Sequence, residues 1–231
     1  MKIISVGDLH GRDVDEDVRG LIDQCDKMIF MGDYVDSFER TDGQIRECLR
    51  NVMQFKRDYP EKVVLLWGNH DIQYLLGPKN HGCSGYRSWM HTDLFAEFHC
   101  NKELFKLAYQ HADWIWTHAG IHDGWWLFSF KYNQGLENIA AELNAAFISE
   151  SPPLFDVGHR RGGYKDVGGP LWCDRSELMS APLKGYNQIV GHTKREFIET
   201  YNKNNNQVIF VDVLENDSPD FRYHVNNFKD E

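Results

Sequence analysis

Three apolar runs near the start of this 231-residue chain, Ile3–Val6, Met28–Met31 and Val63–Trp67, each end in a glycine. A carboxylate or amide follows each glycine at once: Asp8, Asp33 and Asn69, with His10, Asp36 and His70 one to three residues further on. Two later runs deliver a histidine: Trp114–Thr117 meets His118, and Gln188–Val190 is followed by Gly191 and His192. Oxygen and imidazole donors in this mixture suit manganese, iron, zinc or cobalt, and no thiolate among them restricts the choice. A carboxylate shared by two such cations lets them sit about 3.5–4 Å apart, an arrangement that clamps a phosphoryl group. Singly, Asp8 reads as a helix cap, Asp33 as a turn residue and His118 as a core histidine. Together, five polar tips behind five apolar runs would bury charge without partners, which is costly. Bound cations supply those partners.

The elements that must position these residues are legible in outline. Short apolar runs predict buried strands, and the segments between the first three predict helices. From Gln44 to Asp58, Ile45, Leu49, Val52 and Phe55 share one helical face, and Tyr59-Pro60 closes it. Alternating strand and helix implies a parallel or mixed sheet with helices packed on it, and in such sheets ligands gather beyond the carboxyl ends of the strands. Residues 72–111 show no clear strand and predict a helical insertion, with a helix over Arg87–Tyr109 built on Leu94, Phe98, Phe105 and Leu107. Asn133–Phe147 has helical spacing and leaves through Pro152-Pro153, and residues 156–186, rich in Gly and Pro, predict a long surface loop. Strands are expected at Gln188–Val190, Glu196–Tyr201, Val208–Val213 and Phe221–Val225, with a turn at Asn202–Asn206. Residues 1–231 contain no linker long enough to divide domains, so one domain is expected.

Composition narrows the class. Hydrophobic residues at 42% and charged residues at 26% are those of a globular protein, and no apolar run approaches the roughly 20 residues of a spanning helix. The N-terminus has no signal-peptide core, and five scattered cysteines without a C-x-x-C pair suit a reducing compartment, so a cytoplasmic location is expected. A net charge of −10 disfavours stable binding to nucleic acid or to an anionic membrane.

The stretches GDLHG (7–11), GDYVD (32–36), GNHD (68–71), THAG (117–120) and VGHT (190–193) resemble, in order, the signature of the calcineurin-like metallophosphoesterases. The phosphoprotein phosphatases and their bacterial and phage relatives are the branch they most resemble. The resemblance implies a mixed α/β sandwich flanked by helices and two divalent ions, manganese first, with iron, zinc, cobalt or nickel as alternatives. It implies that Asp8 and His10 bind one ion, that Asn69, His118 and His192 bind the other, and that Asp33 bridges them. It makes His70 the general acid, oriented by Asp36, which fits the physics: an alkoxide leaves poorly unless an imidazolium protonates it, and a carboxylate favours that imidazolium. The implied substrate is phosphorylated, a phosphoprotein or a small metabolite.

Two departures stand out. The branch usually places Arg-Gly after GDxVD and an Arg before GNH, where this chain has Ser37 and Trp67. Bidentate arginine–phosphate contacts are strong and specific, so their loss should change substrate preference. Arg12 and Arg175 are the candidate replacements, with Arg160 and Arg161 behind them. Lys194 stands where the phosphodiesterase branch carries a second histidine. Trp125-Trp126 offer either a stacking platform for a base or ordinary packing, and His122 is near enough in sequence to His118 to touch substrate. A nucleotide hydrolase acting on dinucleoside polyphosphates or cyclic phosphodiesters is therefore the alternative enzyme, and a non-catalytic scaffold is the alternative outside enzymes.

Overall fold

The computed structural model describes residues 1–14, 16–77, 82–130, 138–203, 205–214 and 223–228. β1 (Lys2–Val6), β2 (Lys27–Phe30), β3 (Val63–Leu66) and β4 (Phe105–Lys106) pair in parallel in chain order, and β10 (Tyr223–Asn227) runs antiparallel along β1. In a second sheet β6 (Trp114–Thr117), β7 (Asn187–Val190) and β9 (Asn206–Phe210) are parallel, flanked by antiparallel β5 (Ala108–His111) and β8 (Glu199–Lys203).

Alternation along the strands explains how these mixed sheets pack. Ile3, Ile29, Val64 and Leu66 meet Trp116, Ile189, Ile209 and Val211 of the second sheet. Their neighbours Ile4, Met28, Phe30, Val63 and Leu65 face the other way, into a core with Ile45, Leu49 and Val52 of α2 (Asp42–Asp58). Both faces of the first sheet are thus covered, which is why its strands are continuously apolar. Each such side chain contributes about 1.5–3 kcal/mol relative to leaving it in water. Polar contacts also cross between the sheets; the Trp116 indole N–H, for example, donates to Oγ of Ser5 at 2.9 Å.

The helices begin where capping chemistry allows. Thr41 caps α2, and Gln44 three residues into it reaches back to the Thr41 N–H, a capping box. α3 (Asn69–Leu76) opens directly behind Gly68, whose N–H is taken by the Asp71 carboxylate. α1 (Glu16–Gly20), α4 (His91–Cys100) and α5 (Ile139–Ile148) complete the set with α6 (Arg175–Ser180). Among the described residues no helix is long and apolar enough to cross a membrane.

Three sequence expectations need correction. The helix predicted over Arg87–Tyr109 stops at Cys100, and Phe105 and the segment from Ala108 are strands paired with Leu65 and with β6. A short apolar run cannot be assigned by periodicity alone, and here two sheet edges claim it. The expected loop 156–186 contains α6, started by Asp174 and Glu177 as a second capping box. The β8 strand lies a few residues later than Glu196–Tyr201. The 133–137 part of the helix expected over Asn133–Phe147, and residues 221–222 of the strand expected over Phe221–Val225, lie outside the described residues.

Candidate metal centre and active site

All five motifs meet at one rim. β1, β2, β3, β6 and β7 are parallel strands, and each ends in its motif, so Asp8 and His10, Asp33 and Asp36, Asn69 and His70, His118, and His192 converge there. The backbone is bent hard to achieve this. Of the seven described non-glycine residues with positive φ, four belong to the site: His10 (45°), Asp33 (53°), Asp36 (58°) and His192 (63°). Such conformations cost of order ~1 kcal/mol each and persist only where surrounding structure imposes them.

The glycines explain themselves by proximity. A Cβ on Gly68 would lie 2.1 Å from Oδ1 of Asp33, and one on Gly191 would lie 2.1 Å from Oδ1 of Asp8. Each carboxylate is pressed against a neighbouring strand end, leaving no room for any side chain.

Asp33 stands at the centre. Its Oδ1 accepts the backbone N–H of His70 at 2.9 Å, and its Oδ2 lies 3.3 Å from Nε2 of His118 and 3.9 Å from Nε2 of His10. Two groups of ligand atoms therefore share it: Asp8, His10 and Asp33 on one side, Asp33, His118 and His192 on the other. Asn69 joins the second group, with Oδ1 2.8 Å from Nε2 of His118 and 2.9 Å from Nδ1 of His192.

The donor set fits cations on the evidence of its own hydrogen bonds. His118 presents Nδ1 to the Met31 carbonyl at 2.7 Å, and His10 presents Nδ1 to the carbonyls of Val35 and Asp36. Carbonyls only accept, so Nδ1 carries a proton in each ring and Nε2 is the atom that faces the site. The amide of Asn69 is oriented by Cys83, whose Sγ takes the Nδ2 donor at 3.1 Å and leaves Oδ1 facing the histidines. The centre is thus a set of acceptors gathered around too few protons. Oδ1 of Asp8, buried, has no hydrogen-bond partner at all. Unpaired buried acceptors of this kind are expensive unless a cation meets them.

The electrostatics say the same. Burial, then the nearby Asp212 and Asp33 carboxylates, push the Asp8 carboxyl well above its ordinary range. Burial would also raise Asp33, but the imidazoles of His118, His70 and His10 outweigh it and hold it low. His192 is lowered by burial, then by His118 and Arg161, so it stays a neutral ligand-type imidazole.

His70 is placed differently. Its Nδ1 lies 2.9 Å from Oδ2 of Asp36, and its ring stands edge-on to His10 with centroids 5.1 Å apart. Burial alone would lower this imidazole; Asp33 and then Asp36 outweigh it and raise it. Both His70 and Asp36 line a cavity of about 270 Å³ with His10, Arg12, Ser37, Phe38, Glu39 and Ser84.

The arginine candidates separate. Arg12 lines this cavity, held by long 3.4 Å contacts to the Leu9 carbonyl and to Glu39. Arg175 instead pairs with Glu199 through Nε at 3.1 Å and lies over the Phe210 ring, away from the cavity lining. Arg160 is exposed, whereas Arg161 ties Asp174 to the Thr193 hydroxyl beside His192. Trp67, where an arginine was missed, stacks on Phe105 at 4.4 Å within the core. Trp125 and Trp126 are buried, and the Trp125 indole donates to the Pro153 carbonyl, so neither offers a platform. His122 is engaged by the Gly124 N–H and lies 3.2 Å from the Ser180 hydroxyl.

Several supporting residues escaped the sequence reading. Asp71 accepts the backbone N–H groups of Asp33, Tyr34 and Gly68, locking the second motif to the third. Gln73 and Tyr74 both donate to Asp36, and Arg87 grips the carbonyls of Ser37 and Arg40. The fourth residue of GNHD was a signal for the first of these, since an acid three residues past Gly68 is a capping pattern. The others depend on contacts that no local pattern announces.

Comparison with known proteins gives the family. The family model for calcineurin-like phosphoesterases matches residues 1–211, and the chain belongs to that family. It is accordingly a phosphoesterase-type hydrolase by class, built on a fold whose members depend on metal. A crystal structure of a cold-active protein-tyrosine phosphatase from a psychrophilic Shewanella species is similar at TM-score 0.57 and 19% identity, covering 92% of this chain and 71% of that one. A second structure of a cold-active protein tyrosine phosphatase gives 0.58 at 19% identity, covering 92% and 69%. A serine/threonine phosphatase from Saccharomyces cerevisiae gives 0.41 at 18% identity, covering 93% and 56%. At these identities the likeness to the two cold-active phosphatases is one of fold. Curated protein sequences gave no match.

Proposed function

We propose that this chain is a two-metal phosphomonoesterase, acting on a phosphoprotein or a small phosphorylated metabolite. The observation that carries the reading is the Asp33 carboxylate, common to two groups of ligand atoms, with the His70–Asp36 pair beside it. Asp8, His10 and Asp33 would hold one divalent ion, and Asp33, Asn69, His118 and His192 the other, manganese being the first choice. When bound, two such ions supply a water acidic enough to act as nucleophile near neutral pH and neutralise phosphoryl charge. His70 then gives a proton from Nε2 to the leaving oxygen as the P–O bond breaks, while Asp36 fixes its tautomer through Nδ1 and favours the charged ring. Arg12, which lines the cavity, would bind a phosphoryl oxygen.

The nucleotide alternative leaned on the missing arginines and on the aromatics, and the burial of Trp125 and Trp126 removes the second of these supports. A scaffold would have no chemical need for a raised His70 paired to Asp36. The five cysteines, none in a disulfide, support a reducing, cytoplasmic setting.

The test is hydrolysis of para-nitrophenyl phosphate with added manganese, compared with bis-para-nitrophenyl phosphate and with excess chelator. The monoester should be preferred and the chelator should abolish turnover. Preference for the diester would overturn the substrate class, and silence across manganese, iron, zinc, cobalt and nickel would overturn the enzyme reading.

A further inference from the structure

The aromatic wall that Trp125 and Trp126 do not provide is present elsewhere. Phe38 lines the same cavity as His70 and Arg12, yet it is 85% exposed. Exposure alone is ordinary for a single apolar residue; what sets Phe38 apart is its place on the wall of the cavity that His70 and Arg12 line.

The turn that carries the ring is fastened. Ser37 Oγ accepts the backbone N–H groups of Glu39 and Arg40, closing a tight turn around Phe38. The guanidinium of Arg87 donates to the carbonyls of Ser37 and Arg40, at 2.6 and 2.7 Å, and pairs with Asp42. The backbone N–H of Arg87 donates to the Tyr74 hydroxyl, which donates to Asp36. Phe38 is therefore tied through one hydrogen-bonded chain to the carboxylate that orients His70. Its far edge passes above Gly85, where an added Cβ would sit 3.6 Å from Cζ.

Position and charge together narrow what the ring meets. His10, one of the proposed metal ligands, lines this cavity together with His70 and Arg12, so a phosphoryl group bound there leaves Phe38 on the same wall to meet the ester's alcohol portion. Glu39 stands on the same wall with its side chain 74% exposed, which disfavours an alcohol portion carrying further phosphates. An uncharged planar ring stacked on Phe38 satisfies both walls.

We propose that Phe38 is a specificity-determining residue that selects phosphate esters of aromatic alcohols, a tyrosine side chain or a simple phenol. This inference rests on the phosphomonoesterase reading and adds the class of leaving group.

The experiment is calorimetric titration of manganese-loaded protein with phenylphosphonate and with methylphosphonate, whose P–C bonds resist hydrolysis. Wild type should bind the phenyl compound about tenfold more tightly, as burial of one aromatic face implies. Phe38→Ala should bring the two affinities within about twofold of each other, and Phe38→Leu, which keeps apolar area without the ring, should fall between. A wild-type protein without preference, or a preference that survives in Phe38→Ala, overturns the assignment. Turnover of para-nitrophenyl phosphate by wild type, measured in parallel, separates the two readings: active enzyme with an unchanged affinity ratio rejects Phe38 alone, whereas inactive enzyme rejects the phosphatase reading and this one with it.

Discussion

The Tyr74 hydroxyl donates a 2.5 Å hydrogen bond to Oδ1 of Asp36, whose other oxygen receives His70 at 2.9 Å and Gln73 at 2.6 Å. Because the Tyr74 oxygen already accepts the Arg87 N–H, its proton is committed to Asp36. Phenylalanine at position 74 would keep the ring and remove one of the donors that aim the carboxylate. The expected loss is about 1–3 kcal/mol of stability, from a buried acceptor left short of a partner. Turnover should fall by less than in Asp36→Asn, because His70 keeps its partner. Denaturant melts and steady-state rates check both; a variant as stable and as fast as wild type would show that Gln73 suffices to hold Asp36.

Metal should act as a stabilising ligand. A site filled at one hundred times its dissociation constant adds about 2.7 kcal/mol. Asp33 belongs to both ligand groups and Asp8 to one, so Asp33→Asn should remove nearly all of the manganese-induced rise in Tm and Asp8→Asn only part of it. Asp8 is also pushed upward by burial and by neighbouring carboxylates, so its charge opposes folding when no metal is present. Metal-free Asp8→Asn should therefore melt no lower than metal-free wild type. Thermal melts with manganese and with chelator read each outcome, and a lower metal-free Tm for Asp8→Asn would contradict the electrostatic account.

Gly68→Ala isolates the close approach of backbone to carboxylate. At φ −105° alanine is conformationally acceptable there, so only the contact with Asp33, 2.1 Å from the new Cβ, is at stake. Asp33 would have to move out of both ligand groups, and manganese affinity should drop at least a hundredfold by calorimetry. Affinity within threefold of wild type would mean the strand ends can separate freely.

Arg87 fastens the loop from Ser37 to Asp42. Arg87→Ala should increase hydrogen–deuterium exchange in residues 37–42 and cost about 1–3 kcal/mol, since two part-buried carbonyl contacts are lost together. Unchanged exchange in that segment would show the Ser37 turn to be self-supporting.

Trp125 is a core residue, so Trp125→Ala should destabilise by about 3–5 kcal/mol. Manganese bound per folded molecule should not change. A fully stable variant with selectively weakened nucleotide binding would restore the stacking role.

Much of the site was written locally. A buried strand needs an unbroken apolar run, and such a run lies just before Asp8, Asp33 and Asn69, whereas the glycines that the Asp8 and Asp33 carboxylates press against, Gly191 and Gly68, come from distant segments. The ends of α2 and α6 were equally local, since Thr41 with Gln44 and Asp174 with Glu177 are pairs three apart. What tertiary structure alone decided is which partner each long side chain found. Arg175 is captured by Glu199 and Arg161 by Asp174, each a choice made across folded loops. Phe105 entered a sheet edge because Leu65 was there to pair with it, and Trp125 went inward while Phe38 stayed outside. Hydrophobicity and charge along a chain state what a residue would accept; only packing among distant segments determines what it is offered.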